Sequence, residues 1–422
     1  MINQKSLTAV EHSTFGKHFR KPLYDSYCFS NIPQTVLSLL VPTEKTVLPK
    51  DSLEGLEENY DKVVLFLIDG FGWEFFNRYK EKYPFLKRII DSGVASKLTT
   101  QFPSTTSAQV TTIHSGQTVG QHGLYEWFYY EPKVDRIIAP LLFSFAGDKE
   151  RETLLKAGMS AADIVPTPSI YQQLADKGIP SFSYQSSEYA LSPYSKAALV
   201  GATMFSYQSL PEALVTLKRD IENQQKGYFF FYFSKIDTMS HSYGPNSEEF
   251  EAEVDSFFTT LESVFYQKIK GKAGKTLFLM TADHGHSAVV PENTYFINKE
   301  IPEILPMLEK NKKGDYLVPA GSCRDFFLHI KKENLLDAKK LLEEKLSGKA
   351  EIHLVSELLE KGFFGPDLSE KFLGRVGNLV ILGLYGEAIW WYEEGRFEQT
   401  LKGHHGGLTP EESETLLLAI NL

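Results

Sequence analysis

The sequence predicts a doubly wound α/β fold, in which helices sandwich a mostly parallel β-sheet and a small α+β segment is inserted. Four apolar runs support this fold class: residues 63–68, 228–233, 276–280 and 416–420. A run that is apolar throughout is typical of a strand with both faces buried, as in parallel sheets. Segments with helical periodicity, for example residues 211–225, separate the runs. This alternation of strands and helices favours a parallel sheet that is covered on both faces.

The chain divides into one large domain with smaller additions. With 422 residues it exceeds the size at which a single core keeps growing. Residues 1–61, with an apolar helical stretch at 32–40, are predicted to form a leader that packs on the core. Residues 62–289 and 391–422 are predicted to form the main domain. Residues 290–390 have a different, mixed pattern and are predicted to form an inserted α+β cap beside the site.

Composition and charge exclude several classes of protein. The formal net charge is −10, which argues against a general nucleic-acid binder because phosphate backbones are held mainly by clustered Lys and Arg. Cys28 and Cys323 match no metal or redox spacing, so both are expected to be free thiols. The polar start of the chain lacks a signal-peptide core, and no apolar run approaches the length of a membrane span. Together these features favour a cytoplasmic protein.

Polar side chains follow three of the apolar runs. Asp69 comes directly after the first run, Asp237 shortly after the second, and Asp283 and His284 after the third. In an open parallel sheet, ligands bind beyond the carboxyl ends of the strands. We therefore expect these four side chains to converge at one edge of the sheet.

Metal ligation is the chemistry that these residue types suggest together. An isolated Asp-x-x-x-His, such as Asp237 with His241, is often only a surface pair on one helical face. The Ala-Asp-His-Gly segment around Asp283 is more specific, since its glycine lets the backbone come close, and the His-His-Gly-Gly segment at 404–407 has the same character. Three aspartates and three histidines suit two sites for Zn²⁺ or similar cations, each with open coordination positions.

In this order the segments resemble the alkaline phosphatase superfamily, and most closely its type I phosphodiesterase/nucleotide pyrophosphatase branch. The resemblance extends over residues 63–422. It rests on five segments: LIDGFG around Asp69, QFPSTTSAQ around Thr106, KIDTMSHSYGP around Asp237, TADHGH around Asp283 and GHHGGLTPEE around His405. It implies an alkaline-phosphatase-like sheet and hydrolysis of phosphodiester or nucleotide pyrophosphate bonds.

The resemblance also implies a ligand set for two divalent cations, Zn²⁺ or else Mn²⁺ or Fe. His405 is preferred over His404 because the ligand of the family directly precedes a glycine. One cation would be bound by Asp69, Asp283, His284 and the Thr106 hydroxyl, and the other by Asp237, His241 and His405.

Thr106 is the nucleophile that the resemblance implies. Its distances from Pro103 and Gly116 match those of the nucleophile of the family, which favours it over Thr105. A threonine hydroxyl is a poor nucleophile at neutral pH, and metal coordination is one of the few ways to activate it. The residues that follow can form a helix, whose N-terminal amides would favour a bound phosphoryl group.

The residues just after Thr106 depart from the pattern of the family. Many relatives carry Pro-Asn there, with the Asn donating to a phosphoryl oxygen, whereas this chain has Ala108 and Gln109. Gln109 offers the same amide donor on a longer side chain. We therefore predict that Gln109 takes this catalytic role.

Other conspicuous side chains have a structural interpretation as the default. Packing or solvation is favoured for His114, a structural role for His122, and core packing for the aromatic run 127–130, with base stacking as the alternative. His286 could donate to a ligand. Arg324 and Lys235 could contact phosphate, although most such side chains simply face water.

The leading hypothesis is a two-metal hydrolase that acts on a small phosphate ester or nucleotide through a phospho-threonine. A phosphomonoesterase stays open because Arg324 could fold into the site and hold the extra charge of a monoester. A phosphomutase of the same superfamily also stays open, whereas a sulfatase is disfavoured because neither cysteine lies in the C/S-x-P-x-R context. A non-catalytic metal-binding scaffold would have no need of Thr106.

Overall fold

A seven-stranded sheet forms the centre of the structure, a computed structural model that describes residues 1–422. Its strands, in chain order, are β1 (Lys62–Ile68), β2 (Val94–Thr99), β3 (Ser181–Ser186), β4 (Ala202–Tyr207), β5 (Gly227–Phe233), β6 (Thr276–Thr281) and β7 (Glu414–Asn421). Their spatial order is β2-β7-β6-β1-β5-β3-β4. β7 runs antiparallel to both of its neighbours, and all the other pairings in the sheet are parallel. The predicted fold class, a mostly parallel sheet between helices, is confirmed.

Both faces of the sheet are buried, as the apolar runs predict. Alternate residues of β1 belong to two separate cores: Val63 and Leu65 pack on one side, whereas Val64 and Phe66 pack on the other. Successive side chains of a strand point to opposite faces, so a continuous apolar run supplies both cores at once.

Helices fill the layers on both sides of the sheet. The periodic segment at 211–225 contains the helix Leu210–Asn223, and the segment at 32–40 forms the helix Ile32–Leu40. The other α-helices outside the cap are Gln4–His12, Trp73–Tyr79, Pro84–Ser92, Thr106–Ser115, Val119–His122, Thr153–Lys156, Ile170–Ala175, Pro193–Ala198, Lys235–Tyr243, Glu248–Thr260, Gln267–Ile269 and Pro410–Ser413. No helix combines the length and the apolar character needed to cross a membrane.

The first residues of the chain lie along the outer edge of the sheet. The Asn3 N–H donates to the Ala95 carbonyl at 2.9 Å, and the Ala95 N–H donates to the Met1 carbonyl at 2.9 Å. The Asn3 side chain also caps the helix Gln4–His12. This start of the chain therefore covers β2, which would otherwise be an open edge.

The segment predicted as a cap has an α+β structure. Its four-stranded antiparallel sheet has the order Ala320–Gly321, Asp325–Leu328, Leu379–Gly383 and Ala350–Leu354. Its helices are Ile297–Glu300, Leu335–Lys345, Val355–Glu360 and Glu370–Arg375. A buried ion pair between Arg375 and Glu131, 2.6 Å long, ties this segment to the short strand Tyr129–Glu131.

Short strands form the remaining small sheets of the structure. Tyr129–Glu131, Arg136–Ala139 and Ser144–Phe145 form one small sheet. Three pairs complete the set: Thr14–Phe15 with Phe19–Arg20, Ser287–Ala288 with Gly403–His404, and Tyr295–Phe296 with Ile389–Trp390.

Candidate active site

The carboxyl ends of three central strands bring the predicted acidic residues together. Asp69 follows β1, Asp283 follows β6, and Asp237 lies in the first turn of the helix Lys235–Tyr243, which begins after β5. Strands β6, β1 and β5 are adjacent and parallel, so their carboxyl ends lie side by side. The convergence expected from the sequence is therefore seen in the structure.

One group of side chains consists of Asp69, Asp283 and His284, all fully buried or nearly so. The His284 Nε2 lies 3.3 Å from the Asp69 Oδ1 and 3.5 Å from the Asp283 Oδ2. The Thr106 Oγ1 is 3.1 Å from the same Nε2. Ligands about 2.0–2.1 Å from a tetrahedral metal ion are separated by roughly these distances. We call these three residues the nucleophile-side group.

A second group consists of Asp237, His241 and His405. The His241 Nε2 is 3.2 Å and the His405 Nε2 is 3.8 Å from the Asp237 Oδ1. His404 is in contact with Gln399 instead, with its Nε2 3.2 Å from the Gln399 Oε1. We call Asp237, His241 and His405 the far-side group.

The imidazole rings of both groups have a fixed orientation. Each donates its Nδ1–H to a backbone carbonyl, which leaves the Nε2 lone pair facing the site. The bonds are His241 to Gly403 (2.7 Å), His284 to Gly285 (3.1 Å) and His405 to Ser104 (3.0 Å). Burial also lowers the pKa of His405 well below its ordinary value, and the neighbouring His284 adds to this. A neutral ring with a free Nε2 is the form that binds a metal ion.

The carboxylates lack the partners that buried charges need. Burial, followed by repulsion from Asp237, raises the pKa of Asp69, and burial followed by Asp69 raises that of Asp283. One oxygen of each aspartate has no hydrogen-bond partner, and the basic groups that contact the three carboxylates are imidazoles. Uncompensated buried charges are costly, and cations would offset them. The donor set therefore fits two divalent cations.

Two glycines permit this close packing. Gly70 has φ +74°, and a Cβ there would lie 2.7 Å from the His286 Nε2. At Gly285, which follows His284, a Cβ would lie 2.1 Å from the Glu411 carbonyl oxygen. Any larger residue would push the ligand loops apart, since real Cβ atoms do not approach other atoms so closely.

Thr106 begins a ten-residue helix, Thr106–Ser115, and directs its hydroxyl into the site. Thr105 precedes the helix as its N-cap residue, and its hydroxyl makes no hydrogen bond to the histidines and aspartates of the site. The loop in front is tied to the loop of His405, because the Ser104 N–H donates to the Gly406 carbonyl at 3.1 Å. The nucleophile candidate and a far-side ligand are thus held in one unit.

The geometry does not support a catalytic role for Gln109. Its side chain is fully buried, and its Nε2 donates to the carbonyls of Gln101 (3.3 Å) and Pro103 (3.2 Å). The amide therefore braces the loop that leads to Thr106 and does not face the site. The helix places residue 109 one turn beyond Thr106 and points it inward, which the sequence comparison alone did not reveal.

The two basic residues considered for phosphate binding are engaged elsewhere. Arg324 is fully buried and pairs with Glu412, with Nε–Oε1 2.8 Å and Nη2–Oε2 2.9 Å. Lys235 is half-exposed and pairs with Glu188 at 2.8 Å. The expectation that Arg324 could hold a monoester is therefore wrong, because both edges of its guanidinium are occupied.

Two neighbours of the ligands were underestimated from the sequence. The His286 Nε2 lies 3.1 Å from the Asp237 Oδ1, and His286 forms a third possible ligand group with Asp237 and His284. The Tyr232 hydroxyl donates to Asp69. The second histidine of the TADHGH segment is a signal in the sequence for His286. Tyr232 lies within an apolar run, where nothing in the sequence indicates a polar contact.

Two cavities open on the site, and Thr106, Trp127 and Asp237 border both. The larger, about 510 Å³, also borders His241 and His405. The smaller, about 200 Å³, also borders Asp69 and the tyrosines Tyr189, Tyr194 and Tyr232. The site is therefore accessible from two sides of the threonine.

The sheet and its ligand-bearing edge define a protein of the alkaline phosphatase superfamily, as the sequence segments indicated. The model of the family described as type I phosphodiesterase/nucleotide pyrophosphatase matches residues 63–408, and the chain belongs to this family. A comparison with curated protein sequences finds no significant match.

Solved structures with the same fold include murine ectonucleotide pyrophosphatase/phosphodiesterase 5. That structure has a TM-score of 0.63 and 16% identity, and the match covers 85% of this chain and 88% of that one. An inactive threonine-to-alanine variant of the murine protein in complex with AMP has a TM-score of 0.64 and 15% identity, and the match covers 85% of this chain and 88% of that one. The human protein has a TM-score of 0.63 and 16% identity, and the match covers 85% of this chain and 87% of that one. At these identities the likeness shows the fold.

Proposed function

We propose that this protein is a metal-dependent hydrolase of phosphodiester or nucleotide pyrophosphate bonds that forms a phospho-threonine at Thr106. The observation that carries the proposal is the position of the Thr106 hydroxyl, 3.1 Å from His284 within a group of metal-ligating side chains. Membership of the type I phosphodiesterase/nucleotide pyrophosphatase family supports it. The AMP in the structure of the murine protein is consistent with a nucleotide substrate.

Each ligand group would hold one divalent cation, Zn²⁺ being favoured by the mixed carboxylate and imidazole donors and Mn²⁺ being the alternative. The nucleophile-side group and Thr106 would bind one cation, and the far-side group the other. When bound, the cations would promote ionisation of the threonine hydroxyl and offset charge on the oxygens around phosphorus.

Thr106 acts as the nucleophile in this proposal. Its Oγ1 loses a proton to solvent and bonds to phosphorus while the bond from phosphorus to the leaving oxygen breaks, and the leaving oxygen takes up a proton from solvent. Water then adds its oxygen to phosphorus, and Thr106 departs with a proton, which releases a phosphate monoester. The amides at the start of the helix Thr106–Ser115 face the phosphoryl oxygens and stabilise their negative charge.

The location of the arginines favours a diester over a monoester. A monoester carries an additional charged oxygen, and Arg324 is unavailable for it because it pairs with Glu412. The larger cavity is bordered by one basic side chain other than histidine, Arg396, whose Nη1 pairs with Glu393 at 2.6 Å. The smaller cavity is bordered by Arg151, whose Nη1 donates to the Glu188 carbonyl at 3.2 Å. A substrate with less charge fits such surroundings better.

Thr106→Ala is the experiment that tests this proposal, with Thr105→Ala as the matched control. Hydrolysis of bis(4-nitrophenyl) phosphate should fall at least about 1,000-fold in Thr106→Ala and less than about tenfold in Thr105→Ala. The cation content, measured by mass spectrometry after desalting, should persist in both variants. Thr106→Ser should recover part of the rate, because it keeps a hydroxyl.

Three results would contradict the proposal. Unchanged turnover in Thr106→Ala would remove the phospho-threonine. A preference of the wild type for 4-nitrophenyl phosphate over the diester would indicate a monoesterase. Bound cations without hydrolysis of either compound would indicate the scaffold, or a mutase that returns the phosphoryl group to a sugar phosphate.

A further inference from the structure

The two cavities at the site differ in which ligand group they adjoin. The larger cavity borders all three members of the far-side group, and Asp69 and Asp283 do not border it. The smaller cavity borders Asp69 of the nucleophile-side group and, of the far-side group, Asp237 but neither histidine. A substrate centred between the groups would therefore extend one substituent into each cavity.

The direction of nucleophilic attack determines which substituent of the substrate lies in which cavity. Thr106 belongs to the nucleophile side because its Oγ1 is 3.1 Å from His284. In an in-line displacement the leaving oxygen departs opposite the nucleophile, and the second metal site of such centres stabilises it. The leaving group consequently lies at the far-side group and extends into the larger cavity.

Aromatic rings form the walls of this larger cavity: Trp127, Phe128, Trp390 and Phe397. Phe128 and Trp390 are stacked, with centroids 6.3 Å apart and planes at 25°, and Phe397 meets Phe128 edge-on at 6.0 Å. Trp127 is 36% exposed at the rim. These contacts hold the rings in place without a ligand, so a planar guest would meet a pre-formed surface.

The side chains around the rings disfavour an anionic guest. Glu398 borders the cavity, and Arg396 is already paired with Glu393. A planar ring without negative charge therefore fits this cavity better than a second phosphate group does. Nucleobases are uncharged planar rings that stack on aromatic side chains.

We propose that the larger cavity binds an uncharged aromatic ring carried by the leaving alcohol, and that Trp390 is a specificity-determining residue for it. This inference rests on the proposed phosphodiesterase activity. The inserted cap then has a defined purpose, since Trp390 lies at its end and closes the leaving-group cavity.

Two diesters with the same retained group test the proposal. Deoxyadenylyl-deoxyadenosine and the methyl ester of deoxyadenosine 5′-phosphate both release dAMP, and both leaving groups are uncharged alcohols. Wild-type kcat/KM should be at least about tenfold higher for the first, the size expected for one stacked base. In Trp390→Leu this preference should disappear, with the methyl ester affected less than about threefold.

Trp391→Leu is the matched control. Trp391 is the next residue and is equally buried, 8% exposed against 7% for Trp390, but it borders a different cavity beside Tyr316. It should leave both rates nearly unchanged. Leu401→Asp is a second variant, at a 36% exposed position of the larger cavity, and should also reduce the preference without loss of fold.

The outcomes distinguish the leaving-group assignment from the proposed function. Equal kcat/KM for both diesters in the wild type, or an equal loss for both in Trp390→Leu with normal folding, would overturn the leaving-group assignment alone. If neither diester nor bis(4-nitrophenyl) phosphate were hydrolysed, the proposed function would fail and this assignment with it.

Discussion

The ligand edge of the sheet and the aromatic wall of the larger cavity border the same site but are built differently. The candidate ligands follow strand ends, lie on the helix Lys235–Tyr243 or lie in a loop, and the histidine rings are fixed by bonds to the backbone, as at His241 and His405. The wall consists of rings that are fixed mainly by each other, as Phe128 and Trp390 are. Directional bonds leave little tolerance at the edge, whereas stacked rings can be exchanged for other apolar shapes. Variants of the edge should therefore abolish activity, and variants of the wall should change selectivity.

The largest effect is expected at the ligand edge itself. Asp283→Ala removes a ligand that also accepts the N–H groups of Gly70 (3.0 Å) and His284 (3.1 Å). Turnover of bis(4-nitrophenyl) phosphate should fall at least about 1,000-fold, and bound cation, measured by mass spectrometry, should fall by about half. The control is Asp255→Ala, which breaks only a half-exposed pair with Lys82. Full activity in Asp283→Ala would contradict the expectation that variants of the ligand edge abolish activity.

The next effect concerns a buried ion pair that joins the cap to the segment leading into β7. Arg324 precedes the cap strand Asp325–Leu328 and pairs with Glu412, close to β7. Arg324→Met leaves the Glu412 carboxylate buried and unpaired, which should lower the free energy of unfolding by about 3–5 kcal/mol. Urea denaturation measures this. Lys339→Met, which breaks a surface pair with Glu343, should cost less than about 0.5 kcal/mol.

A double variant sharpens this test. In Arg324→Met with Glu412→Leu no unpaired charge remains, so much of the lost stability should return. If the double variant were as unstable as the single one, the pair would contribute through its backbone bonds to Gly383 and Leu384 instead.

A smaller effect is expected at His286, which supports the edge from beneath. Its Nε2 is 3.1 Å from the Asp237 Oδ1, and it is fully buried. His286→Leu should weaken cation binding at the far-side group about 10- to 100-fold, as partners of metal ligands commonly do, whereas His286→Gln keeps a donor and should lose less. Competition with a coloured chelator gives both affinities. Identical affinities in the wild type and both variants would make His286 a packing residue only.

The smallest effect is expected at Gln109, where the sequence predicted catalysis and the contacts indicate bracing. Gln109→Ala removes its bonds to the carbonyls of Gln101 and Pro103, which should cost about 1–3 kcal/mol of stability. The kcat should stay within about threefold of the wild type at a temperature where the variant is folded. Loss of an oxyanion donor commonly lowers kcat by about 100-fold or more, so a fall in kcat of that size would support the catalytic role of Gln109.

The strands nearest the site could be predicted from the sequence because they are apolar on both faces. Strands β1, β5, β6 and β7 were all predicted from such runs. Strands β3 and β4 carry many polar residues, for example Ser181, Ser183 and Gln185, and were not recognised. Strand β4 is the edge of the sheet and is partly exposed, so its residues need not be apolar.

The convergence of the predicted ligands has a related reason. Asp69, Asp283 and His284 come soon after the ends of β1 and β6, and His405 lies beside two glycines, whereas Asp237 and His241 lie on the helix that begins after β5. The errors concern side-chain direction and distant pairing. No local signal shows that Gln109 turns away from the site or that Arg324 meets Glu412, 88 residues further along the chain. The aromatic wall combines residues 127–128 with 390–397, and only the folded chain brings these together.

The position of β7 has a consequence for synthesis of the protein on the ribosome. This strand, Glu414–Asn421, lies between β2 and β6 and pairs with both. Until residue 421 has emerged, β2 has no neighbour through which to join the other strands, and two strand edges remain unpaired. Such edges attract other chains. A nascent chain halted at residue 413 should therefore be digested rapidly by protease and retained by chaperones, whereas one that has emerged through residue 422 should resist digestion.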